Sequence, residues 1–271
     1  MLKITENEFN KLAGFIKSNY GVYLKKEKQT LVMGRLHDVL IQNKFKNFSE
    51  YYDYVISDKT GKAAIMLIDK ITTNHTFFMR EAEHFFYFRD VVLPYLKKNI
   101  RDNDLRIWSA GCSTGEEPYT LAMIIDKFFG ANKIFWDTKI LATDISSKVL
   151  EHAKRGIYTN EKIASLPFSW RQHYFEKIDR SNSIIVDRIK NEVIFRKFNL
   201  MEKVFPFKKK FHVIFCRNVM IYFDAQTKRE LVNKFYDLTE RGGYLFIGHS
   251  ESISRDETKY KYIMPAVYRK E

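Results

Sequence analysis

The residues best suited to chemistry lie in one stretch, Leu105–Leu121, which reads LRIWSAGCSTGEEPYTL. The apolar residues that open the stretch predict a short buried strand, and small residues then form a turn that ends at Gly115. Glu116, Glu117 and Pro118 open a helix, where acidic side chains and proline are both favourable. A strand, a glycine turn and a helix N-terminus together let the backbone approach a nucleotide-like ligand.

The composition of this turn indicates which ligands it would accept. G-x-G-x-x-G is absent, and no Lys-Ser or Lys-Thr pair follows Gly115, so the phosphate-binding variants of the turn fit poorly. Glu116 and Glu117 would repel a pyrophosphate, whereas they suit a ligand that is cationic or rich in hydroxyl groups. The missing glycine fingerprint also disfavours a nicotinamide-dependent dehydrogenase.

Three further predicted strands of the same sheet end in polar residues. The strand KILATD ends in Asp144, the third core strand ends at Asn199-Leu200, and FHVIF is followed by Cys216, Arg217 and Asn218. Ligands of open α/β sheets bind at the carboxyl ends of the strands, and an acidic residue after the second strand holds ribose hydroxyls. Polar ends on four successive strands therefore predict one ligand pocket.

A second polar segment, Ile71–Arg80, precedes this region and reads ITTNHTFFMR. Asn74, Thr76 and Arg80 are spaced so that two or all three could face one ligand. Taken alone, the segment is explained better by a capped helix with a surface arginine.

Several segments of the chain form one set: TTNHTFFMRE, WSAGCSTGEEPYTLAM, ATDIS, FNL and FCRNVMIYF, with GHSES after the fifth strand. Together they resemble the chemotaxis-receptor glutamate methyltransferases, the CheR family. The resemblance extends over nearly the whole chain. It implies an α/β protein in which an N-terminal all-helical domain is linked to a class I (Rossmann-like) S-adenosylmethionine-dependent methyltransferase domain with a small inserted antiparallel β-subdomain.

The resemblance also implies an activity and a role for individual residues. The cofactor would be S-adenosylmethionine, the product S-adenosylhomocysteine, and the acceptor a glutamate side chain of a methyl-accepting chemotaxis receptor. Arg80 and Tyr222 would form the catalytic pair. The cofactor contacts implied by position are Asn74, Thr76 and Arg80 from the interdomain segment, Gly111 and Glu117 beside the methionine and adenosine parts, Asp144 at the ribose, Asn199 and Leu200 at the adenine, and Arg217 and Asn218 on the methyl-transfer side.

The predicted elements divide the chain into three parts. Residues 1–72 are expected to form a small helical domain. Residues 73–104 hold the ligand segment and a long helix, in which Pro94 is tolerable only as a kink or as the start of a second helix. Residues 105–271 are expected to form the methyltransferase domain.

Capping and periodicity predict the helices of the first part. Thr5 and Glu8 form a capping-box pattern before the first helix. Apolar spacing predicts further helices over Lys28 to Asn43, after a cap at Ser49, and over Lys62 to Ile71.

The alternation of strands and helices stops at about residues 156–196. Tyr174 to Asp179, Ser183 to Ile189 and Glu192 to Phe198 read as neighbouring strands joined by polar turns. We expect a small antiparallel insertion here that leads into the third core strand.

The formal net charge of +13 and the pI of about 9.5 favour an acidic partner, although a lysine-rich composition of the whole proteome would give the same values. The resemblance implies that this partner is the acidic cytoplasmic helices of the receptor. Lys25, Lys26, Lys28 and Arg35 lie on or near the predicted second helix and could dock to them. The CheR family tends to carry several arginines there, whereas this chain has one arginine with lysines.

Composition excludes several other classes. No apolar run is long enough to cross a bilayer and no signal-peptide pattern opens the chain, so we expect a cytoplasmic protein without direct membrane insertion. Cys112 and Cys216 are too few for a disulfide framework, and no paired Cys/His spacing or HExxH predicts a metal. No self-pairing surface is evident, which favours a monomer.

Two alternatives to a receptor methyltransferase stay open. A methyltransferase acting on nucleic acid would share the cofactor fold and explain the basic charge, but no base-flipping or stacking domain is evident and we expect no nucleic-acid partner. A non-catalytic scaffold could keep the fold and bind the receptor without transferring methyl groups, although the intact motifs favour an enzyme.

Overall fold

The computed structural model describes residues 2–271, apart from the side chain of Arg255. The chain divides into two compact units. The first unit comprises the residues up to Asn74 together with Asn199–Met201 and Tyr222–Thr227. The second unit comprises His75–Phe198, Glu202–Ile221 and Lys228–Glu271.

Helices fill the first unit between residues 2 and 74. Thr5 and Glu8 form the predicted capping box, in which the Glu8 N–H donates to the Thr5 hydroxyl and the Thr5 N–H donates to the Glu8 carboxylate. Gly21 ends the first helix with a left-handed φ of 72°. The helices are α1 (Glu6–Tyr20), α2 (Gln29–Gln42), α3 (Phe48–Ser57) and α4 (Lys62–Ile71).

The cap of α3 differs from the predicted one. Asn47 is the N-cap, because its side-chain oxygen accepts the N–H of Glu50 at 2.9 Å. Ser49 instead donates its N–H and its hydroxyl to the Glu8 carboxylate, at 2.9 and 3.1 Å. Asn and Ser are both good N-caps, so the sequence alone did not separate them.

The second unit is organised around a seven-stranded sheet of order β6-β2-β1-β7-β8-β10-β9, with a smaller sheet of order β3-β5-β4. Strand β1 pairs in parallel with β2 and β7, and β6 pairs in parallel with β2, so the carboxyl ends of these strands share one edge. The strands are β1 (Ile107–Ala110), β2 (Ile140–Asp144), β3 (Ile157–Thr159), β4 (Phe175–Lys177), β5 (Asn182–Ile185), β6 (Val193–Lys197), β7 (Phe211–Cys216), β8 (Thr239–Ile247), β9 (Lys261–Met264) and β10 (Val267–Arg269).

The helix expected to run from Glu81 towards Lys98 is interrupted. A π-helical turn, Phe88–Val92, separates two α-helical pieces, and Pro94 lies in the first turn of the second piece, where its missing N–H costs little. The remaining helices are α5 (Ala82–Tyr87), α6 (Leu93–Asn99), α7 (Glu116–Phe129), α8 (Ser147–Arg155), α9 (Asn160–Ile163), α10 (Phe168–Tyr174), α11 (Asp187–Lys190) and α12 (Ala225–Leu238).

The small antiparallel sheet is present but one of its members was wrongly predicted. Its third strand is β3, which the sequence did not predict. The segment Glu192 to Phe198 instead supplies β6, which pairs in parallel with β2 of the large sheet. Ser183 to Ile189 is only partly a strand, since α11 begins at Asp187. The expected fold class, a helical part and an α/β part with a small antiparallel sheet, is confirmed.

The structure also describes the two cysteines and the apolar character of the helices, on which the composition gave expectations. Cys112 and Cys216 are both buried free thiols, and burial raises the pKa of each well above its ordinary value. Across residues 2–271, none of the helices combines the length and the apolar character that crossing a membrane requires.

Candidate active site

The turn between β1 and α7 depends on two glycines. Gly111 has a φ of 90° and Gly115 a φ of 96°, a left-handed region that L side chains rarely adopt. A Cβ atom added at Gly111 would lie 2.4 Å from Cγ2 of Val219, and one added at Gly115 would lie 2.9 Å from Cβ of Ala153. Both positions therefore require glycine for conformation and for space.

The two glutamates at the start of α7 have different surroundings. Glu116 is fully buried, accepts the Thr114 hydroxyl at 2.7 Å and lies 3.3 Å from Nζ of Lys162. Glu117 accepts the Ser109 hydroxyl at 2.7 Å and pairs with Nη1 of Arg217 at 3.0 Å. Glu116 therefore supports the turn, and Glu117 belongs to the group of polar residues at the strand ends.

Arg217, directly after β7, is the centre of this group. Its side chain is 2% exposed, and its guanidinium pairs with Glu117 and, at 3.1 Å, with Glu81. Nη2 also donates to the backbone carbonyl of Arg80, and the guanidinium lies over the ring of Phe85. Nε is buried and has no hydrogen-bond partner among the described residues. A buried donor without a partner is costly, so this atom favours a ligand that presents an acceptor.

Asp144 ends β2, as predicted. One carboxylate oxygen accepts the N–H of Ser113 at 2.8 Å, and the other accepts the N–H of Ser146 at 3.0 Å. These two bonds fix the orientation of the carboxylate at the strand end.

Asn218 follows Arg217 in a left-handed conformation with a φ of 59°. Its side-chain amide donates to Glu81 Oε1 at 3.1 Å. Burial alone would raise the pKa of the Glu81 carboxyl, but the hydrogen bonds from Asn218 and His249 and the charge of Arg217 outweigh burial and lower it. Non-glycine residues with a left-handed backbone conformation are strained and concentrate at functional sites. The loops that carry the predicted site residues contain four of them: Met79, Glu81, Ser113 and Asn218.

Glu81, His84 and His249 bring a carboxylate oxygen and two ring nitrogens within 4.8 Å of one another, a spacing that could hold a metal ion. The sequence-based expectation of no metal did not anticipate this group. The guanidinium of Arg217 lies 3.1 Å from Glu81 Oε2, the oxygen that is 3.5 Å from His84 Nδ1, and would repel a divalent cation there. Burial, together with Arg217, lowers the pKa of His84 to about 4, so this ring is neutral at pH 7.

Two predicted residues of the ligand segment belong to the second unit. Arg80 is half-buried, and its guanidinium donates to the backbone carbonyl of His75 at 2.6 Å. Thr76 is also half-buried. Arg80 joins the Arg217 group through its backbone carbonyl, whereas its guanidinium is held within its own segment.

The other predicted residues, Asn74, Asn199, Leu200 and Tyr222, belong to the first unit. The Tyr222 hydroxyl accepts the N–H of Thr73 at 3.0 Å and lies 3.3 Å from the Thr73 carbonyl. Asn199 donates its side-chain amide to the carbonyl of Asn19 and accepts the N–H of Met201. Its side chain therefore stabilises the first unit.

Sequence reasoning assigned no role to Glu81 or Glu251, although both lie in segments that carried the resemblance. Glu81 follows Arg80, and its carboxylate binds Arg217 and Asn218. Glu251 accepts backbone N–H groups from two loops. For Glu81 the available signal was its place directly after Arg80, a predicted site residue.

Comparison with known proteins identifies the family. Residues 74–268 match the family model described as the CheR methyltransferase, SAM binding domain, and residues 7–72 match that of the CheR methyltransferase, all-alpha domain. The chain belongs to the CheR methyltransferase family. S-adenosylmethionine (SAM) is therefore its cofactor.

Curated relatives of the family match over nearly their full length. A chemotaxis protein methyltransferase of Borreliella burgdorferi is 43% identical over 99% of this chain and 96% of its own. A probable chemotaxis protein methyltransferase of Rhizobium etli is 37% identical over 94% of this chain and 99% of its own. The chemotaxis protein methyltransferase of Escherichia coli is 34% identical over 98% and 92%.

The residues of the second unit fit this cofactor by their chemistry. SAM carries ribose hydroxyls, a sulfonium and an amino-acid carboxylate. Asp144 offers acceptors for the hydroxyls, Glu117 offers negative charge, and Nε of Arg217 is a buried donor without a partner among the described residues. The bare Gly111 lets the backbone come close.

Proposed function

We propose that this chain transfers the methyl group of SAM to glutamate side chains of chemotaxis receptors, forming glutamate methyl esters. The observation that carries the proposal is the buried Arg217 group at the strand ends, where Glu117 and Glu81 hold a guanidinium whose Nε lacks a partner among the described residues. The names of the curated relatives support chemotaxis as the setting.

The acceptor needs little activation by the protein. An unperturbed glutamate has a pKa of about 4.3, so its carboxylate is ionised at neutral pH and no general base has to remove a proton. SAM, when bound, supplies a methyl group made electrophilic by the sulfonium. A carboxylate oxygen of the acceptor would bond to this carbon as the carbon–sulfur bond broke, and S-adenosylhomocysteine would be the second product. The protein therefore acts mainly by alignment, which can contribute roughly 7–11 kcal/mol.

We assign the orientation of the acceptor to Tyr222 and Arg80. The Tyr222 hydroxyl accepts a good hydrogen bond from the Thr73 N–H, but its own donor contact to the Thr73 carbonyl is long, at 3.3 Å. A substrate carboxylate would be a stronger acceptor than this carbonyl. Arg80 would place either the cofactor carboxylate or the substrate carboxylate.

Charge supports an acidic receptor surface as the partner. The net charge is +13, and Lys25 and Lys28 are exposed. Arg35, by contrast, donates to the backbone carbonyl of Ile71 at the end of α4 and to the Thr73 hydroxyl. The lysines of this region, rather than Arg35, would therefore bind the receptor. Receptor binding is expected to weaken as the salt concentration is raised.

The test is transfer of labelled methyl groups from SAM to a cytoplasmic receptor fragment. We expect label that alkali releases, because carboxyl methyl esters hydrolyse in base, and no label on a fragment whose candidate glutamates are replaced by alanine. RNA and DNA serve as alternative acceptors. Label on nucleic acid alone, or cofactor binding with no transfer to any acceptor, would refute the proposal.

Matched variants separate the cofactor site from general damage. Asp144→Asn keeps the shape of the side chain but removes its charge, and it should weaken cofactor binding. Asp126→Asn removes a carboxylate that pairs with Lys133 and Arg188, and it should leave binding unchanged. Equal losses in both variants would contradict the assignment of Asp144.

A further inference from the structure

Glu251 is a buried residue whose carboxylate has no direct role in the proposed reaction. The residue is 6% exposed and lies in the GHSES segment after β8. Oε2 accepts the N–H groups of Gly248 at 2.5 Å and Asn218 at 3.0 Å, and Oε1 accepts that of Ile221 at 3.0 Å. Hydrogen bonds to an ionised acceptor are stronger than neutral ones. One side chain therefore joins the loop after β7 to the loop after β8.

This arrangement has a cost that the hydrogen bonds offset. Burial raises the pKa of the Glu251 carboxyl, against the opposing effect of the backbone N–H groups. A buried charge is tolerated only when it is well hydrogen-bonded. Asn218 is held from both sides, by Glu251 on its backbone N–H and by Glu81 on its side-chain amide. Its left-handed conformation is thereby fixed.

The loop after β7, which Glu251 holds, contacts the turn between β1 and α7. Val219 follows Asn218 and packs on Gly111, where an added Cβ would lie 2.4 Å from its Cγ2. Arg217, which precedes Asn218, pairs with Glu117. At Gly248 an added Cβ would lie 2.9 Å from the backbone nitrogen of Asn218, so the two loops are in close contact. A displacement of this loop would move Arg217 and Val219 together.

We infer that Glu251 is a positioning residue of this methyltransferase. Its carboxylate fixes the backbone at Asn218 and Ile221, and so holds Arg217 and Val219 against the turn that binds the cofactor. The inference deepens the proposed function. Only the expected effect on the rate of methyl transfer rests on that function. Its effect on cofactor binding is measurable without any receptor.

The test is Glu251→Gln. The variant keeps the size of the side chain, but whichever way the amide is turned its NH₂ group faces N–H donors. We expect the Kd for S-adenosylhomocysteine to rise by about 10-fold or more, because apparent affinity falls with the fraction of molecules in the competent loop conformation. The amides of Asn218, Ile221 and Gly248 should exchange hydrogen faster. With the receptor fragment, kcat should fall while the KM for the fragment is unchanged.

Controls distinguish positioning from general stability. Glu240→Gln removes a carboxylate that pairs with Arg106 at 3.0 Å, and it should leave cofactor affinity and exchange at the loop amides unchanged. A lower Tm for Glu251→Gln with unchanged cofactor affinity would overturn the inference. If the variant does not fold, the wild type decides, since rapid exchange of the three amides in the folded protein would also overturn it.

The outcome is separable from the proposed function. If the wild type fails to methylate receptor fragments but Glu251→Gln still weakens cofactor binding, the inference stands and the proposed acceptor is wrong. If receptor methylation is found but Glu251→Gln binds the cofactor as the wild type does, the inference fails alone.

Discussion

Replacing Gly111 by alanine should weaken cofactor binding for two separable reasons. The φ of 90° costs an L residue about 1–2 kcal/mol. The added Cβ would also lie 2.4 Å from Cγ2 of Val219. Forcing an extra methyl group into a packed site costs about 1–3 kcal/mol. Together these effects amount to about 2–5 kcal/mol. If the variant has to adopt the wild-type conformation of the turn before the cofactor binds, this cost lowers the affinity by roughly 30-fold or more.

The second replacement, Val219→Ala, separates the two effects. It removes Cγ2 and leaves Cβ of residue 219 at 3.7 Å from the added atom, which is an ordinary contact. The double variant should therefore recover the steric share of the loss but not the conformational share. Titration calorimetry with S-adenosylhomocysteine measures affinity, and urea unfolding measures the accompanying change in the free energy of unfolding.

Gly61→Ala is the matched control. Gly61 has a φ of 68° with open space around it, so alanine there carries only the conformational cost and should not change cofactor affinity. Wild-type affinity in Gly111→Ala would refute the assignment of this turn to the cofactor. No recovery in the double variant would refute the steric part of the reasoning.

The remaining predictions concern catalysis, buried charge, pH and helix stability. Tyr222→Phe should lower kcat by roughly 10²-fold with little change in cofactor Kd, since one oriented donor is lost; equal effects on both would contradict its role. Arg217→Met should lower the free energy of unfolding by about 3–5 kcal/mol, because Glu81 and Glu117 would lose a buried partner; urea unfolding measures this, and a loss under 1 kcal/mol would count against the network. Burial and Arg106 lower the pKa of His212 to about 4. Between pH 6.5 and 4 the unfolded chain therefore binds a proton that the folded chain does not, and the free energy of unfolding decreases as the pH is lowered. His212→Asn keeps an acceptor for the Arg106 N–H and should reduce this pH dependence by up to about 1.4 kcal/mol per pH unit, whereas an unchanged slope in urea unfolding would refute it. Gly14→Ala, at an exposed helical position with open space, should raise the free energy of unfolding by roughly 0.5–1 kcal/mol in the same assay, and a destabilisation would contradict the open space described there.

Local chemistry made some elements predictable. The capping box at Thr5 and Glu8 satisfies helix N–H groups within four residues of sequence, so α1 could be predicted at its first turn. The bounds of α4, Lys62–Ile71, follow from its apolar periodicity. At the site, the turn from Gly111 to Gly115 was legible because only glycine suits its conformation and its packing.

Features that depend on distant partners were not predictable in this way. Strand β3 has three residues and exists through pairing with β5, so it has no periodic signal of its own. Strand β6 lies at the edge of the large sheet and alternates buried and exposed residues, a pattern that antiparallel strands share. The different surroundings of Glu116 and Glu117 depend on Lys162 and Arg217, which are far away in sequence.

The most direct measurement is a structure of this protein with S-adenosylhomocysteine bound. We predict that the Asp144 carboxylate accepts the ribose hydroxyls and that Arg217 and Glu117 lie beside the amino-acid part of the ligand. A ligand bound away from the carboxyl ends of β1, β2 and β7, or one that leaves Asp144 and Arg217 untouched, would contradict the proposed site.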